Sequence, residues 1–275
     1  MMAEYILIAL APVIGGLIYG LERVVRARMQ NRQGPPVLQP FYDMYKLLDK
    51  HSSIVHPMHV SLAILHFITV WAVVALVILG GNFLYVIFLH LLSTIFIILA
   101  GFSVRSVYSH VGSNRELLAM LAYEPIFILM ATAYYLLNGS YDIALIRAND
   151  AQILPLILIF FAFLLTIPLK LKKSPFDACE AHQEIVGGVE IEYSGIYFEF
   201  LYMAKWLEYV FIYMLLLLFA GNNILLGFVL AILVFLLVNL VDNSTSRVNI
   251  IDTVKIIMLF GLSLSILNIL GIIYV

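Results

Sequence analysis

The sequence has few charged residues. Only 12% of its 275 residues are Asp, Glu, Lys or Arg, whereas 63% are hydrophobic, and the mean hydropathy is +1.04. A soluble domain needs a polar surface, and this composition leaves too few polar residues to form one. The composition therefore excludes an ordinary soluble protein and predicts that a lipid bilayer surrounds the chain.

Cysteine is almost absent, since Cys179 is the single cysteine. One thiol excludes a disulfide framework, and it excludes any cysteine-ligated iron-sulfur cluster or zinc site built by this chain alone. We therefore expect redox centres, if present, in partner chains. Lys and Arg are also missing before the first apolar run, which starts at Tyr5. Secretory signals open with basic residues, so we interpret this run as a retained first span.

Eight apolar runs follow one another along the chain, and a membrane span needs about 20 mainly apolar residues. They lie at about 5 to 22, 58 to 80, 83 to 104, 117 to 137, 152 to 169, 199 to 220, 224 to 241 and 254 to 275. Glycine and asparagine at 80–82 and 221–223 predict two tight turns between neighbouring spans. The sequence thus predicts an all-α polytopic membrane protein of about eight transmembrane helices, forming one transmembrane domain over residues 1–275.

The basic residues predict the orientation. The loops after the first, third, fifth and seventh runs, with their flanks, hold every Lys and Arg except Arg147 and Lys205, that is 13 of 15. The positive-inside rule places these loops, at about 23–57, 105–116, 170–198 and 242–253, in the cytoplasm. We therefore predict a multi-pass protein of the cell membrane with both termini outside.

The loop from Arg23 to Pro57 is basic, is broken at Gly34, and then resumes as a short amphipathic helix from Phe41 to Leu48. Attraction to lipid headgroups is one explanation. A docking surface for a soluble partner is the other, because the loop is longer than a simple turn needs. The candidate docking residues are Arg23, Arg26, Arg28, Arg32, Asp43 and Lys46, together with Arg115. His51, His56 and, just after the loop, His59 lack a completing Cys or acid nearby, so we expect no metal site.

Glu124 lies inside an apolar run, directly before Pro125. An acidic residue near the centre of a span costs about 2.5–3.5 kcal/mol, so such groups usually face a protein interior or a hydrated path. Glu124 is therefore either a protonated structural group or a proton-relay residue. Glu116, at the start of the same run, is explained equally well as a solvated ion-pair partner of Arg115.

The segment from Lys172 to Glu199 is rich in acids. Ser174, followed by Pro175, predicts a helix start, and this helix would place Asp177, Glu180 and Glu184 in one stripe that ends at Gly187. Neighbouring carboxylates raise one another's pKa and can share protons, which suits a relay. A solvated charged face is the alternative. The remaining candidates of the proton path are Glu190, Glu192, Glu199, Lys205 and Glu208, the last two predicted to form an ion pair on one helical face.

These segments resemble the membrane subunit called H of bacterial respiratory complex I. The matching stretches are GPPVLQPFYDMYKLL (34–48), RELLAMLAYEP (115–125), KSPFDACEAHQEIVGGVEIEYSG (173–195) and STSRVNIIDTVK (244–255). With His182 and Gln183, the third stretch is closer to the version in membrane-bound energy-converting nickel-iron hydrogenases and related formate- or sulfur-linked complexes. This departure at His182 disfavours quinone binding.

The resemblance implies a subunit without a catalytic centre that anchors a peripheral redox arm and carries the first acidic part of an ion path. It implies that Glu124 is the family's intramembrane glutamate and that Asp177, Glu180, Glu184 and Glu192 belong to the acidic loop near a partner's terminal iron-sulfur cluster. The expected partners are hydrogenase-like large and small subunits, holding iron-sulfur clusters and a nickel-iron centre, antiporter-like membrane subunits and the bilayer. No nucleic acid and no cofactor bound by this chain are expected.

Two other functions stay open from the sequence. One is a secondary transporter that works alone and exchanges protons or sodium through the same carboxylates. The other is the quinone-binding subunit of a complex I. A transporter would act alone in vesicles, whereas a coupling subunit would co-purify with nickel- and iron-containing chains.

Overall fold

The structure is a computed structural model that describes residues 2–54 and 56–274. Within these residues it is helical and holds no β-strand longer than an isolated bridge between Asn82 and Asp142. The α-helices are α1 (Met2–Met29), α2 (Gln39–Asp49), α3 (Pro57–Ile78), α4 (Phe83–Phe102), α5 (Val107–Asn138), α6 (Ile143–Ala148), α7 (Ile157–Lys170), α8 (His182–Ile185), α9 (Ile196–Leu218), α10 (Ile224–Ser244), α11 (Ile250–Ile256) and α12 (Ser263–Tyr274).

Seven segments in the described ranges are long and apolar enough to cross a membrane. They are α1, α3, α4, α5, α9, α10 and the continuous segment Ile250–Tyr274, which joins α11 to α12 through a π-helical stretch. The fifth predicted run forms α7, whose 14 residues rise about 21 Å and fall short of a hydrocarbon core of about 30 Å. The polytopic helical fold is confirmed, with α7 as its short member.

The two predicted tight turns are present. Gly80 and Gly221 adopt positive φ angles of 76° and 56°, which a side chain would strain. Asn82 then caps α4 by accepting from the Leu84 amide, and Asn223 caps α10 by accepting from the Leu226 amide. These turns pair α3 with α4 and α9 with α10 as antiparallel hairpins.

Helix α9 lies at the centre of the bundle and packs against α1, α3, α10 and α2. Fully buried aromatic side chains such as Trp206 and Phe211 of α9 and Phe127 of α5 fill the interior. By contrast, α10 and α12 expose Phe228, Leu267 and many other large apolar side chains. Exposed apolar side chains on helices of spanning length are typical of a lipid-facing surface.

The amphipathic helix predicted in the first loop is α2. Its Phe41 ring contacts Trp206, with ring centroids 5.3 Å apart, so α2 packs on α9. Tyr42 and Tyr45 point outward and are exposed. The existence of the helix is confirmed, while its position at a membrane surface stays a prediction. Met1 and Val275 lie outside the described residues, and the orientation of the termini likewise stays a prediction.

The single acidic helix predicted after Ser174 is wrong. The chain there forms a 3-10 turn (Ala178–Glu180), the four-residue α8 and a second 3-10 turn (Gly188–Glu192). The Ser174 amide donates to the Asp242 side chain at 2.9 Å, and Ala181, whose ψ of 89° is not helical, separates the first 3-10 turn from α8. A continuous helix would align three carboxylates on one stripe. The observed loop instead turns them toward cations on other segments, which removes their mutual repulsion.

Candidate functional site

A histidine bridges two glutamates inside the bundle. His90 of α4 is completely buried, and its Nδ1 lies 2.9 Å from Glu124 Oε1 of α5. Its other ring nitrogen, Nε2, lies 3.4 Å from Glu208 Oε2 of α9. A histidine can take a proton at one nitrogen and release one from the other. The three residues therefore form one buried group of ionisable side chains at the junction of three helices.

A lysine completes this group, which we call the interior cluster: His90, Glu124, Glu208 and Lys170. The Lys170 ammonium, at the end of α7, lies 3.1 Å from Glu208 Oε1. It also lies 3.4 Å from the hydroxyl of Tyr123. Buried charges need partners, and here two carboxylates share one ammonium and one imidazole.

A second group lies where the acidic loop meets the helices, and we call it the loop cluster: Glu116, Lys172, Glu180, Glu190 and Lys205. Lys172 is 2.6 Å from Glu116 and 2.8 Å from Glu180. Lys205 is 2.9 Å from Glu180 and 2.8 Å from Glu190. Three carboxylates thus share two ammonium groups in one continuous chain of ion pairs.

The shared ammoniums separate the pKa values of the two loop carboxyls. Burial alone would raise the pKa of Glu180, but Lys172 and Lys205 outweigh it and hold that pKa well below its usual range. Burial and the neighbouring Glu180 carboxylate raise the pKa of Glu190 to about 7, against the opposing effect of Lys205. Of these two carboxyls, Glu190 therefore takes up a proton more readily, whereas Glu180 favours the ionised form.

One cavity of about 440 Å³ connects the two clusters. Its lining includes Glu180, Glu190 and Lys205 from the loop cluster, and Lys170 and Glu208 from the interior cluster. A cavity of this size with polar walls has room for several water molecules. Water in it can link the ionisable groups of the two clusters.

The other two acids of the predicted stripe pair with arginines. Arg247, in the loop before α11, donates two hydrogen bonds of 2.8 Å to Asp177 and lies 3.3 Å from Glu184. Arg115 lies 2.7 Å from Glu184 and donates to the Ala178 carbonyl. The hydrogen bond from Arg115 lowers the pKa of Glu184. These contacts fasten the acidic loop to α5 and to the last cytoplasmic loop of the prediction.

A fourth charged group joins α1 to α10. Glu22 is buried and pairs with Lys173 and, at 3.4 Å, with Arg26. Arg26 also lies 2.5 Å from Asp242 of α10. Arg26 is therefore bound within the chain.

The ion pair predicted between Lys205 and Glu208 is wrong. Lys205 turns toward the loop carboxylates, and Glu208 turns toward Lys170 and His90. A shared helical face allows such a pair, but closer partners from other segments take both side chains. The ion pair between Arg115 and Glu116, which the sequence left open, does not form either, because Glu116 pairs with Lys172 and Arg115 with Glu184.

Two predicted acids lie outside these clusters. Glu192 is half-buried and forms no ion pair within the part of the chain that the structure describes. Glu199 is buried in the first turn of α9, and its Oε2 has no hydrogen-bond partner among the described residues. Neither residue touches the series of charged groups that contains Glu190 and Glu124.

Some of the predicted docking residues form ion pairs within the chain, and others are exposed and unpaired among the described residues. Arg23 pairs with Asp43 at 2.8 Å. Arg28, Arg32 and Lys46 are exposed, and none of the carboxylates described lies within ion-pair distance of them. The three exposed cations are thus available to a partner or to lipid, whereas Arg23, Arg26, Asp43 and Arg115 hold the chain together.

Cofactor donors on this chain are few. Cys179 is buried, and burial raises the pKa of its thiol well above the usual value. Across residues 2–54 and 56–274, no three His, Cys, Asp or Glu side chains are placed to hold a metal ion. The donor set of this chain does not fit an iron-sulfur cluster or a nickel-iron centre.

Comparison with known proteins decides the family. The sequence profile of the family described as NADH dehydrogenase matches residues 2–273. The chain belongs to this family. It is a multi-pass membrane subunit of the class found in complex I-like and hydrogenase-like respiratory complexes, which confirms the resemblance seen in the sequence.

Two curated relatives illustrate the range of the family. The chain is 32% identical over 230 residues to the membrane subunit named H in the NADH-quinone oxidoreductase of Brevibacillus brevis, covering 74% of this chain and 67% of that protein. It is 29% identical over 211 residues to subunit 4 of the formate hydrogenlyase of Escherichia coli, covering 69% of this chain and 66% of that protein.

A solved structure shares the fold. A chain of the membrane-bound sulfane sulfur reductase, an archaeal respiratory membrane complex, superimposes with a TM-score of 0.90 over 98% of both chains, at 22% identity. At this identity the likeness concerns the fold alone. It agrees with the helical membrane architecture described above.

Sequence reasoning overlooked several members of the clusters. His90 was hidden in an apolar run of α4, Glu22 stood among basic residues, and Lys170 was counted only as a topology signal. A histidine inside a predicted span is rare, like other ionisable groups there, and so marks a functional candidate as Glu124 does. The signal was present for His90, but its two partners were not predictable without the fold.

Proposed function

We propose that this chain is a non-catalytic anchor and coupling subunit of a redox-driven ion-pumping complex. It links a peripheral hydrogenase-like electron-transfer arm to the translocation of protons or sodium ions. The observation that carries the proposal is the series of ionisable groups from the loop cluster, through the shared cavity, to His90 and its two glutamates. Such a series inside a membrane protein is costly and is typical of ion paths.

The proposed path begins at Glu190, which exchanges its proton near neutral pH. Protons pass through water in the cavity to Glu208, then to His90 and to Glu124. The His90 imidazole accepts at one nitrogen and donates at the other, so it connects the two glutamates without a direct contact between them. The free Glu124 oxygen, Oε2, is buried without a described partner and is the next position for a proton or a water molecule.

Coupling to electron transfer requires that the acidic loop respond to the docked arm. Arg115 and Arg247 hold this loop through Asp177 and Glu184, and Glu180 and Glu190 lie in the same loop. A change of charge in an arm that contacts the loop would shift these ion pairs and the proton occupancy of Glu190. We assign the iron-sulfur clusters and the nickel-iron centre to partner chains, and further translocation to antiporter-like membrane subunits.

The proposed arrangement in the cell membrane follows the positive-inside rule. The loops at 23–57, 105–116, 170–198 and 242–253 face the cytoplasm, where the arm docks, and both termini face outward. A cysteine introduced in place of Met2 and labelled from each side of the membrane checks this arrangement. Labelling of this position from the cytoplasmic side alone would contradict it.

Glu124→Gln in the complete complex, reconstituted in vesicles, tests the function. Glutamine keeps the shape of the side chain but does not ionise. Redox-driven ion movement should fall at least tenfold, while the activity of the docked arm with a soluble artificial electron donor is kept. Glu192→Gln is the matched control, because Glu192 lies outside the clusters, and it should pump normally. Normal pumping by Glu124→Gln in a complex of normal subunit content would remove Glu124 from the mechanism.

A further inference from the structure

An apolar groove of about 390 Å³ lies between α1, α9 and α10. It follows α1 from Leu7 to Leu21, and it includes Met214 of α9 and Phe228 and Phe235 of α10. Tyr213 is the one lining residue with a polar side-chain atom. All three helices are long enough to span a membrane, so the groove lies within the hydrocarbon region. Membrane lipids surround such a groove, which the proposed ion path does not use.

The groove is too small to hold a further helix. Helices α1 and α10 both pack against α9, and they meet each other at one end of the groove through polar contacts. Arg26 lies 2.5 Å from Asp242 there, and the Gln30 side-chain amide donates to Asn243 at 2.7 Å. A helix about 10 Å wide and about 21 Å long fills roughly 1,600 Å³, which is several times the volume of about 390 Å³ in the groove. A single hydrocarbon chain is much thinner than a helix and can enter it.

The length of the groove suits one lipid chain. From Leu7 to Leu21 the helix rises about 21 Å at 1.5 Å per residue. One leaflet is about 15 Å deep, half of a hydrocarbon core of about 30 Å. A chain from the leaflet near Leu21 therefore fills most of the groove.

The closed end of the groove carries a free cation. Residues 7, 14, 21 and 28 of α1 repeat every seven positions, so Arg28 continues the stripe that lines the groove. Arg28 is exposed, and no described carboxylate lies within ion-pair distance of it. A guanidinium group matches the geometry of a phosphate. We propose that the groove binds one acyl chain of an anionic phospholipid whose phosphate is bound by Arg28.

Photolabelling of the complete complex tests the chain site. The complex is reconstituted in phosphatidylcholine vesicles containing phosphatidylglycerol with a photoreactive diazirine on one acyl chain. Peptides of α1, α9 and α10 that line the groove should be labelled several-fold more than the exposed α12 segment around Leu267. Equal labelling of the two regions, or cross-links from groove residues to a partner's transmembrane helix, would overturn the proposal.

Filling the groove should abolish this labelling. Ala231→Phe adds a ring to a lining position, and it should reduce groove labelling several-fold. Leu233→Phe, on the same helix but outside the groove, is the matched control and should label as the wild type does. Ala231→Leu makes the same test with a smaller side chain if the phenylalanine variant does not assemble. Unchanged labelling in an assembled position-231 variant would contradict the acyl-chain site.

The phosphate contact has its own test. Arg28→Gln should lower groove labelling by the phosphatidylglycerol probe several-fold, and the loss should shrink at high salt because charge attraction is screened. Arg105→Gln is the matched control, since Arg105 is also exposed and has no ion pair with a described residue. Groove labelling by a photoreactive phosphatidylcholine should fall less in Arg28→Gln, because the headgroup of this lipid has no net charge. Equal labelling of wild type and Arg28→Gln by phosphatidylglycerol would remove Arg28 from the site.

Discussion

The interior cluster and the loop cluster both contain more carboxylates than ammonium groups, but they balance this charge with different side chains. In the interior there are two carboxylates, Glu124 and Glu208, and one ammonium, that of Lys170, which contacts Glu208. In the loop cluster three carboxylates face two ammoniums. Each cluster therefore has one more carboxylate than ammonium, and one added proton makes it neutral. The histidine can hold this proton in the interior, whereas Glu190, whose pKa is raised, can hold it in the loop.

The two clusters also differ in the kind of structure that holds their side chains. The interior side chains come from four regular helices, α4, α5, α7 and α9, so packing fixes their geometry. Two of the loop carboxylates come from an irregular segment that is held by ion pairs. A rigid site favours a fixed proton relay, and an ion-paired loop is easier to rearrange when a charge nearby changes. The following predictions probe this contrast.

Replacing the bridging histidine should have the largest effect. His90→Gln keeps hydrogen-bonding capacity but does not carry a proton, so redox-driven ion movement in vesicles should fall more than tenfold. His110→Gln is the matched control, because His110 bonds the Val104 carbonyl away from both clusters. Substantial pumping by an assembled His90→Gln complex would show that the two glutamates exchange protons without the imidazole.

Removing the interior lysine should destabilise the complex. Lys170→Met leaves Glu208 without its ammonium, and breaking a buried ion pair costs about 3–5 kcal/mol. The melting temperature in detergent should drop, and adding Glu208→Gln should restore part of the loss because the uncompensated charge is removed. Independent, additive losses in the double variant would contradict a direct pairing of the two residues.

Glu190→Gln should change the pH dependence of the loop cluster. The pKa of Glu190 lies near 7, above its ordinary value of 4.5, so the folded chain favours the neutral carboxyl. Its stabilising effect is complete below pH 4.5 and is lost as pH rises through 7. Glutamine mimics the neutral form, so the variant's melting temperature should decline less between pH 5 and pH 8. If the melting temperature of wild type and variant declines equally over this range, Glu190 does not cause the pH dependence. Glu192→Gln serves as the control.

The exposed cations of the first loop should give the smallest effect. Arg32→Glu with Lys46→Glu should loosen a docked arm several-fold in high salt, with normal insertion of the chain, because both side chains are exposed. Arg26→Glu should instead impair folding, since Arg26 bonds Glu22 and Asp242 inside the chain. Co-purification of the arm at rising salt measures the first effect. Full retention of the arm by the double variant would contradict docking through these residues.

Much of the fold was predictable from the sequence because spans are determined locally. A stretch of about 20 apolar residues satisfies its backbone only as a helix in lipid, whatever its neighbours are. Glycine and asparagine at 80–82 and 221–223 likewise specify turns through their own backbone preferences. The resemblance to the complex I membrane subunit was also readable in the sequence, because it is carried by contiguous stretches such as residues 173–195.

The candidate site was predictable only in part. Glu124 was singled out because an acidic residue inside an apolar run is costly. Glu180 and Glu190 were singled out because they belong to a series of neighbouring carboxylates, and Glu208 because it shares a helical face with Lys205. Their partners were not, since Lys205 and Glu208 are neighbours on one helix and yet pair with different segments. The short helical turns of the acidic loop also escaped prediction. Local signals at Ser174 and Pro175 indicate a helix, but contacts with Asp242 and Arg247 override them.

By itself the sequence determined that this protein is a bundle of membrane helices with acidic and basic segments between them, because hydrophobicity and turn preference act over a few adjacent residues. Only the tertiary structure decided which charges meet. Ion pairs depend on distances of about 3 to 4 Å between side chains that lie far apart in the chain, as those of His90 and Glu208 do. The packing of α4, α5, α7 and α9 sets those distances, and no stretch of the chain encodes them alone.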